Sequence, residues 1–329
     1  MRCENKYCYI SNVLLARENI SDEHIIPNAM GGHLKSPNLV CKEINNTLFA
    51  KLDAILSKSV EIAQLIKFKR DDQKEQPTII GISTDGMKYA VNNMQKGKLL
   101  PIKPLKVVDE SGKELLKLQV SQKEEYIKSQ LKKYPTLKRE AIENNLKEVF
   151  EDDYNDIHFR NGINIFTTKE PFRAIAKIAT NFAVLNNIST NYFRGFIEFI
   201  KGGNDLSNIQ LGYFYPNELL IYDFEEKEIS HILYLKGCQK EKILYCYIEL
   251  FNTHCFVVNL SYHYHGPTFE KSYIWDVLNA QELRKDIALN LTYSYLSKRQ
   301  YLWYPNAEND YKERLKRTSL ICDLKLRIK

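Results

Sequence analysis

The chain has 329 residues, of which 44% are hydrophobic and 27% charged, with a formal net charge of +6. That length exceeds one average domain and supports a sizeable core, so two or three domains are expected. The basic balance favours a polyanionic partner, although Lys, Ile, Asn and Tyr are abundant in the way AT-rich coding produces regardless of function, so charge supports that reading without carrying it. Seven cysteines, an odd number without pattern beyond the N-terminal region, and the lack of a signal peptide point to a cytoplasmic protein with free thiols. No apolar run approaches membrane-spanning length, which argues against a membrane partner. No Gly-rich phosphate loop, internal repeat or low-complexity tract is present, so a nucleotide-hydrolysing motor is not supported.

The first informative stretch is DEHIIPNAMGGHLKSPNLVCKEINNTLFAKLD, residues 22–53. The β-branched pair Ile25-Ile26 after Glu23-His24 predicts a short strand that holds the histidine rigidly. Gly31-Gly32 predicts a reversal, because glycine enters positive φ without a Cβ penalty. Asn38-Leu39-Val40 is expected as a return strand, and Asn45-Asn46-Thr47 as the cap of a helix whose buried stripe is Leu48, Leu52, Ile55 and Leu56. The unit is ββα.

Phosphodiester hydrolysis needs a base, a cation for the developing charge, and ligands that leave the cation an open face. His24 titrates near neutrality and is the candidate base. Glu23 and Asn45 offer a hard carboxylate and an amide oxygen, donors suited to Mg²⁺ or Mn²⁺. Asn38 is the candidate residue for tying the hairpin loop and orienting His24.

These residues, over about residues 1–60, resemble the HNH endonuclease family, in the subgroup whose last motif position is Asn. Glu23 and His24 fall on its acid–His pair, Asn38 on the central Asn and Asn45 on the last metal-binding position. The resemblance implies a ββα-metal fold and metal-dependent hydrolysis of DNA. It also implies a cysteine zinc knuckle, for which Cys3, Cys8 and Cys41 are the candidate ligands. Ile44 stands where a fourth thiolate is expected, and structural Zn²⁺ takes four ligands. Either a donor from elsewhere such as His33 completes the site, or the same residues form a small reduced-cysteine cluster.

Downstream, residues 78–82 and 87–91 predict one β-hairpin and residues 106–120 another, with Asp109-Glu110-Ser111-Gly112 at its tip. The charged stretch 121–151 has a helical pattern and reads as a solvated face. Thr167 and Glu170 form a capping-box pattern ahead of a core helix that carries Phe172, Ile175, Ile178, Ala179 and Phe182 on one side. A second helix, 191–200, ends at Gly202-Gly203. From 209 to 260, LGYFY, ELLIYDF, HILYLKG, ILYCYIELF and CFVVNLSY predict an antiparallel sheet. His254, Cys255, His263 and His265 have no recognised ligand spacing and read as structural residues. In the tail, Lys312, Arg314, Lys316 and Arg317 form either a basic arm for DNA phosphates or the solvent face of a helix packing Leu315, Leu320 and Ile321 on the sheet.

The expected fold class is α+β, with a nuclease unit at 1–60, a mixed middle region at 61–205 and a β-rich region with a basic tail at 206–329. The expected function is a metal-dependent DNA endonuclease, with a homodimer or a regulatory protein as further partner. Anti-phage defence is the setting that family analogy suggests. The alternative is a binding protein with a vestigial nuclease fold.

Overall fold

The hairpin of the nuclease unit is shorter than the apolar pattern implies. In the computed structural model, which describes residues 5–60, 62–66, 68, 70–71, 79–83, 88–91, 98–99, 105–108, 111–117, 123–146, 157–159, 168–205, 209–215, 228–298 and 307–327, strands Glu23–His24 and Lys35–Ser36 pair antiparallel, Glu23 opposite Ser36 and His24 opposite Lys35. Residues 38–40, expected as the return strand, form turns instead, because pairing ends at Ser36, whose hydroxyl accepts the Asn38 N–H at 3.2 Å. Between the strands, a 3₁₀ turn at Asn28–Met30 leads into Gly31 at φ +78°. A Cβ on Gly32 would lie 2.0 Å from the Ile26 carbonyl oxygen, so the reversal requires glycine at this second position on contact grounds alone.

The helix also starts earlier than expected. It begins at Lys42 with Cys41 as N-cap, widens into a π turn over Asn45–Phe49 and continues as α over Ala50–Ser59. Asn45 is therefore inside the helix and caps nothing. Leu52 and Leu56 are buried as the spacing predicts, and Phe49 joins them.

The chain divides into two compact units, Met1–Pro77 with Ile163–Lys329, and Thr78–Gly162. The second has strands Ile79–Ser83 and Lys88–Val91 as the expected hairpin, extended by Lys98–Leu99 on one edge and Ile157–Phe159 on the other. The second expected hairpin is Leu105–Val108 with Glu114–Lys117, and the charged stretch forms helices Lys123–Lys133 and Arg139–Glu143.

In the first unit, six antiparallel strands run in the order Gln281–Leu283, Phe269–Asp276, Ser230–Cys238, Ile243–Leu250, His254–Ser261 and Gln210–Tyr213. The segment ELLIYDF lies outside the described residues. The three long central strands are buried along nearly their whole length, as expected for a sheet covered on both faces. The Lys169–Leu185 helix packs on this sheet and on the nuclease helix, and from Ala174 to Leu185 every residue is buried. Its N-cap is Thr168, which makes no side-chain capping bond. A helix buried all round has exchanged water for protein on every face. Any charge on it must therefore find a partner. No helix among the described residues is long and apolar enough to cross a membrane.

Candidate active site

The Glu23–His24 strand sends its two side chains into different surroundings, as alternation requires. The His24 ring is half-buried, and its Nε2 lies 3.2 Å from Oδ2 of Asp71. The other oxygen of Asp71 meets Nδ1 of His33 at 2.9 Å, and the Lys35 ammonium stands 3.5 Å from Oδ2. Asp71 is itself fixed, since its N–H donates to Oδ1 of Asn28 at 2.9 Å. His33 is fixed from a second side by stacking on Trp275, with ring centroids 4.5 Å apart. One carboxylate thus orients two imidazoles beside a lysine.

The charges set the tautomer. Burial of Asp71 would raise its pKa, but the bonds from His33 and His24 outweigh this and hold it below the usual carboxylate range. An ionised carboxylate only accepts, so Nε2 of His24 carries the proton and Nδ1 keeps the lone pair. Burial lowers the His24 pKa, and the opposing pull of Asp71 does not restore it. The ring is neutral at pH 7, the state a proton acceptor needs.

Glu23 belongs to another group. It is 2% exposed, and its Oε1 is in contact with the Lys177 ammonium and accepts a 3.0 Å hydrogen bond from the Asn181 amide. Burial raises its carboxyl pKa to about 7, against the pull of Lys177 and with a further push from Asp53. Lys177 is lowered by burial but raised more by Asp53 and Glu23, so it stays charged. Both shifts are upward, and they are compatible because Asp53, the more exposed carboxylate, balances the ammonium and repels charge from Glu23.

Asn45 donates its amide nitrogen to the Ser21 hydroxyl at 2.9 Å and to the Asp22 carbonyl at 3.4 Å. Oxygen donors of the right kind for Mg²⁺ or Mn²⁺ are present, but Glu23 is engaged by Lys177 and Asn181, while Asn45 is engaged by Ser21 and Asp22. Among the described residues, no group of three or more His, Cys, Asp and Glu side chains is arranged to hold a metal ion. In this arrangement the expected donor set does not fit a divalent ion, since the carboxylate meant for it already faces a cation. The Asn38 carbonyl oxygen accepts from Asn5 Nδ2 at 3.3 Å, and the His24 ring meets Asp71.

Of the candidate zinc ligands, Cys3 lies outside the described residues. Cys8 and Cys41 are buried free thiols that share Ser11: its N–H donates to Cys8 at 3.4 Å, and its hydroxyl lies 3.7 Å from the Cys41 sulfur. Burial raises the Cys41 thiol, but the amides of Ile44 and Glu43 at the helix start, with Ser11 and Cys8, bring it below its usual value. His33 does not complete this group, because its ring is committed to Asp71 and Trp275.

The tail is a helix, Ala307–Arg327, with Tyr311, Arg314, Thr318 and Ile321 buried at spacings of three and four. Arg314 is a correction to the basic arm. It is buried, and its Nη1 donates to Glu249 at 3.0 Å, so it faces the protein and not a phosphate. Lys312 and Lys316 are exposed, Arg317 is half-buried, and Leu320, expected on the sheet, is 55% exposed.

Asp71, Asp53, Lys177 and Asn181 escape a reading based on local pattern. Lys177, the one charged residue in the stretch Ala174–Leu185, is the available signal, because a buried charge requires a carboxylate partner.

Residues 8–61 match the family model described as HNH endonuclease. No curated protein and no solved structure matches the chain. The matched segment contains Cys8, Glu23, His24, Asn38, Cys41, Asn45 and Asp53, and leaves out Asp71, Lys177 and the six-stranded sheet. In this α+β chain it is the segment 8–61, with its hairpin and helix, that is similar to the HNH endonuclease family.

Proposed function

We propose that the chain is an endonuclease that hydrolyses DNA phosphodiester bonds, with His24 as general base. The observation that carries this reading is the His24–Asp71 contact, which leaves a neutral, half-buried imidazole with its lone pair on Nδ1. Nδ1 takes a proton from water, and the hydroxide attacks phosphorus as the bond to the leaving oxygen breaks. The imidazolium formed is stabilised by Asp71, as in other base–carboxylate pairs. Lys35, exposed beside the same carboxylate, supplies positive charge to the phosphate. HNH nucleases generally use a divalent metal ion, and in this chain the carboxylate expected to hold one already faces the Lys177 ammonium.

Incubation of the full chain with plasmid in Mg²⁺ or Mn²⁺ tests the reading. Wild type should nick or linearise the plasmid, and His24→Ala should be slower by about 10²- to 10⁴-fold, the usual contribution of a general base. Equal rates for the two proteins would remove His24 from the reaction. A second reading, a binding protein with a vestigial nuclease fold, draws on the ammonium that already faces Glu23. DNA retention by both proteins with cleavage by neither would favour it.

A further inference from the structure

Lys177 is fully buried in the middle of the Lys169–Leu185 helix, outside the segment that matches the nuclease family. Its ammonium touches Glu23 Oε1, lies 2.7 Å from Asp53 Oδ1 and 3.3 Å from the His24 carbonyl oxygen, and stands 5.1 Å from the centroid of the Phe49 ring. Two carboxylate oxygens, a backbone carbonyl and an aromatic face are the surroundings of a bound cation. Here the cation is part of the chain.

Its placement is built from several elements. Asn181 follows Lys177 by one helical turn, so both reach the same carboxylate. The side-chain Oδ1 of Asn181 accepts from the Tyr9 hydroxyl at 2.6 Å, and that hydroxyl also meets Thr180 Oγ1 at 3.0 Å. The N-terminal segment, the nuclease hairpin, the nuclease helix and the Lys169–Leu185 helix therefore converge on one buried charge. A dication near Glu23 would meet a fixed positive charge without intervening solvent, where repulsion is poorly screened.

We propose that Lys177 is the resident cation of the Glu23 carboxylate and that it excludes Mg²⁺ and Mn²⁺ from that position while the Lys169–Leu185 helix is docked. This inference stands on the geometry of Glu23, independently of whether the chain cuts DNA, and its test reads ion binding. Taking the ammonium away leaves two carboxylates and a carbonyl, an oxygen set suited to a hard divalent ion.

The full-length wild type, Lys177→Met, Glu23→Gln and the double variant are titrated with Mn²⁺, with bound ions counted by calorimetry and the free ion by electron paramagnetic resonance. Wild type and Glu23→Gln should bind Mn²⁺ alike. Lys177→Met should gain one ion at least about tenfold tighter than any wild-type site, and the double variant should lose it. Lack of that gain in folded Lys177→Met overturns the proposal. So does an ion bound by wild type and lost in Glu23→Gln. If Lys177→Met does not fold, the comparison of wild type with Glu23→Gln decides alone: identical binding upholds the exclusion and a lost ion overturns it.

Discussion

At the scale of single residues, the candidate base depends on a partner that no motif announces. Asp71 is 47 positions from His24 and reaches it only because the chain after the nuclease helix returns past Asn28. Asp71→Asn keeps the shape but removes the charge, so it should reduce the plasmid cleavage rate by about 10- to 100-fold, as loss of an orienting partner commonly does. The pH dependence gives the sign. Asp71 raises the His24 pKa, so the acid limb of the rate profile, already below about 6.5 in wild type because burial lowers the ring, should move further down in Asp71→Asn. A single-turnover rate profile from about pH 5 to 8 checks both effects, and Asp71→Glu should recover part of the rate. A limb that stays in place would separate Asp71 from the base. The strand that carries His24 and the turn at Gly31 are legible in the sequence because their spacing is local, whereas the ammonium that Glu23 meets is not. Asp71 and Lys177 are not, since nothing within a turn or strand of them marks what they meet across the fold.

At the scale of elements, periodicity reads most reliably where one face meets a continuous surface. The stripe Phe172, Ile175, Ile178, Ala179 and Phe182 is fully buried, and the hairpin strands Ile79–Ser83 and Lys88–Val91 lie where alternation puts them. It reads worst at ends: the nuclease helix starts at Lys42 because Cys41 is β-bridged to Ile20 and the Lys42 N–H donates to the Asn19 carbonyl oxygen, and the Asn45-Asn46 pair falls in a π turn instead of a cap. The Ala307–Arg327 helix shows the same lesson for charge. Composition groups Arg314 with Lys312, Lys316 and Arg317, but its register with Tyr311 and Thr318 turns it inward, onto Glu249 and the Asn252 carbonyl. Arg314→Met leaves Glu249 buried without its cation and should cost about 3–5 kcal/mol in urea unfolding, the usual penalty for breaking a buried pair from one side. Lys316→Ala should leave stability within about 0.5 kcal/mol. If this helix meets DNA, Lys316→Ala reduces the slope of log affinity against log salt by about one, and folded Arg314→Met does not. A loss of slope in Arg314→Met alone would return that residue to the surface.

At the scale of the whole molecule, the nuclease hairpin and the sheet are joined by a histidine that must stay neutral. His231 is completely buried on the Ser230–Cys238 strand, with Nε2 2.8 Å from the Met30 carbonyl oxygen and Nδ1 accepting the Phe251 N–H at 3.2 Å. The ring is the Nε2–H tautomer, and a second proton would face an N–H donor. Burial takes its pKa down to about 4, and burial takes His254 down to about 3. An unfolded histidine titrates near 6.5, so for both rings the unfolded state binds the proton more readily; their stabilisation is complete above about 6.5 and is lost as pH falls toward the folded values. Glu23 acts in the opposite sense. Its folded pKa of about 7 lies above the unfolded value of 4.5, so its contribution is present at low pH and lost as pH rises through 7. Between about pH 5 and 6.5 the two rings outweigh the one carboxyl. Unfolding free energy should therefore rise with pH across that window, by about 1.4 kcal/mol per pH unit near pH 5, the slope of one net proton, and less steeply toward 6.5. His231→Phe should flatten the slope and Glu23→Gln should steepen it, each by about the same amount, in urea titrations at half-unit steps. A slope unchanged by His231→Phe would mean that this ring does not take up its proton on unfolding, and that the hairpin and sheet are held together by other groups.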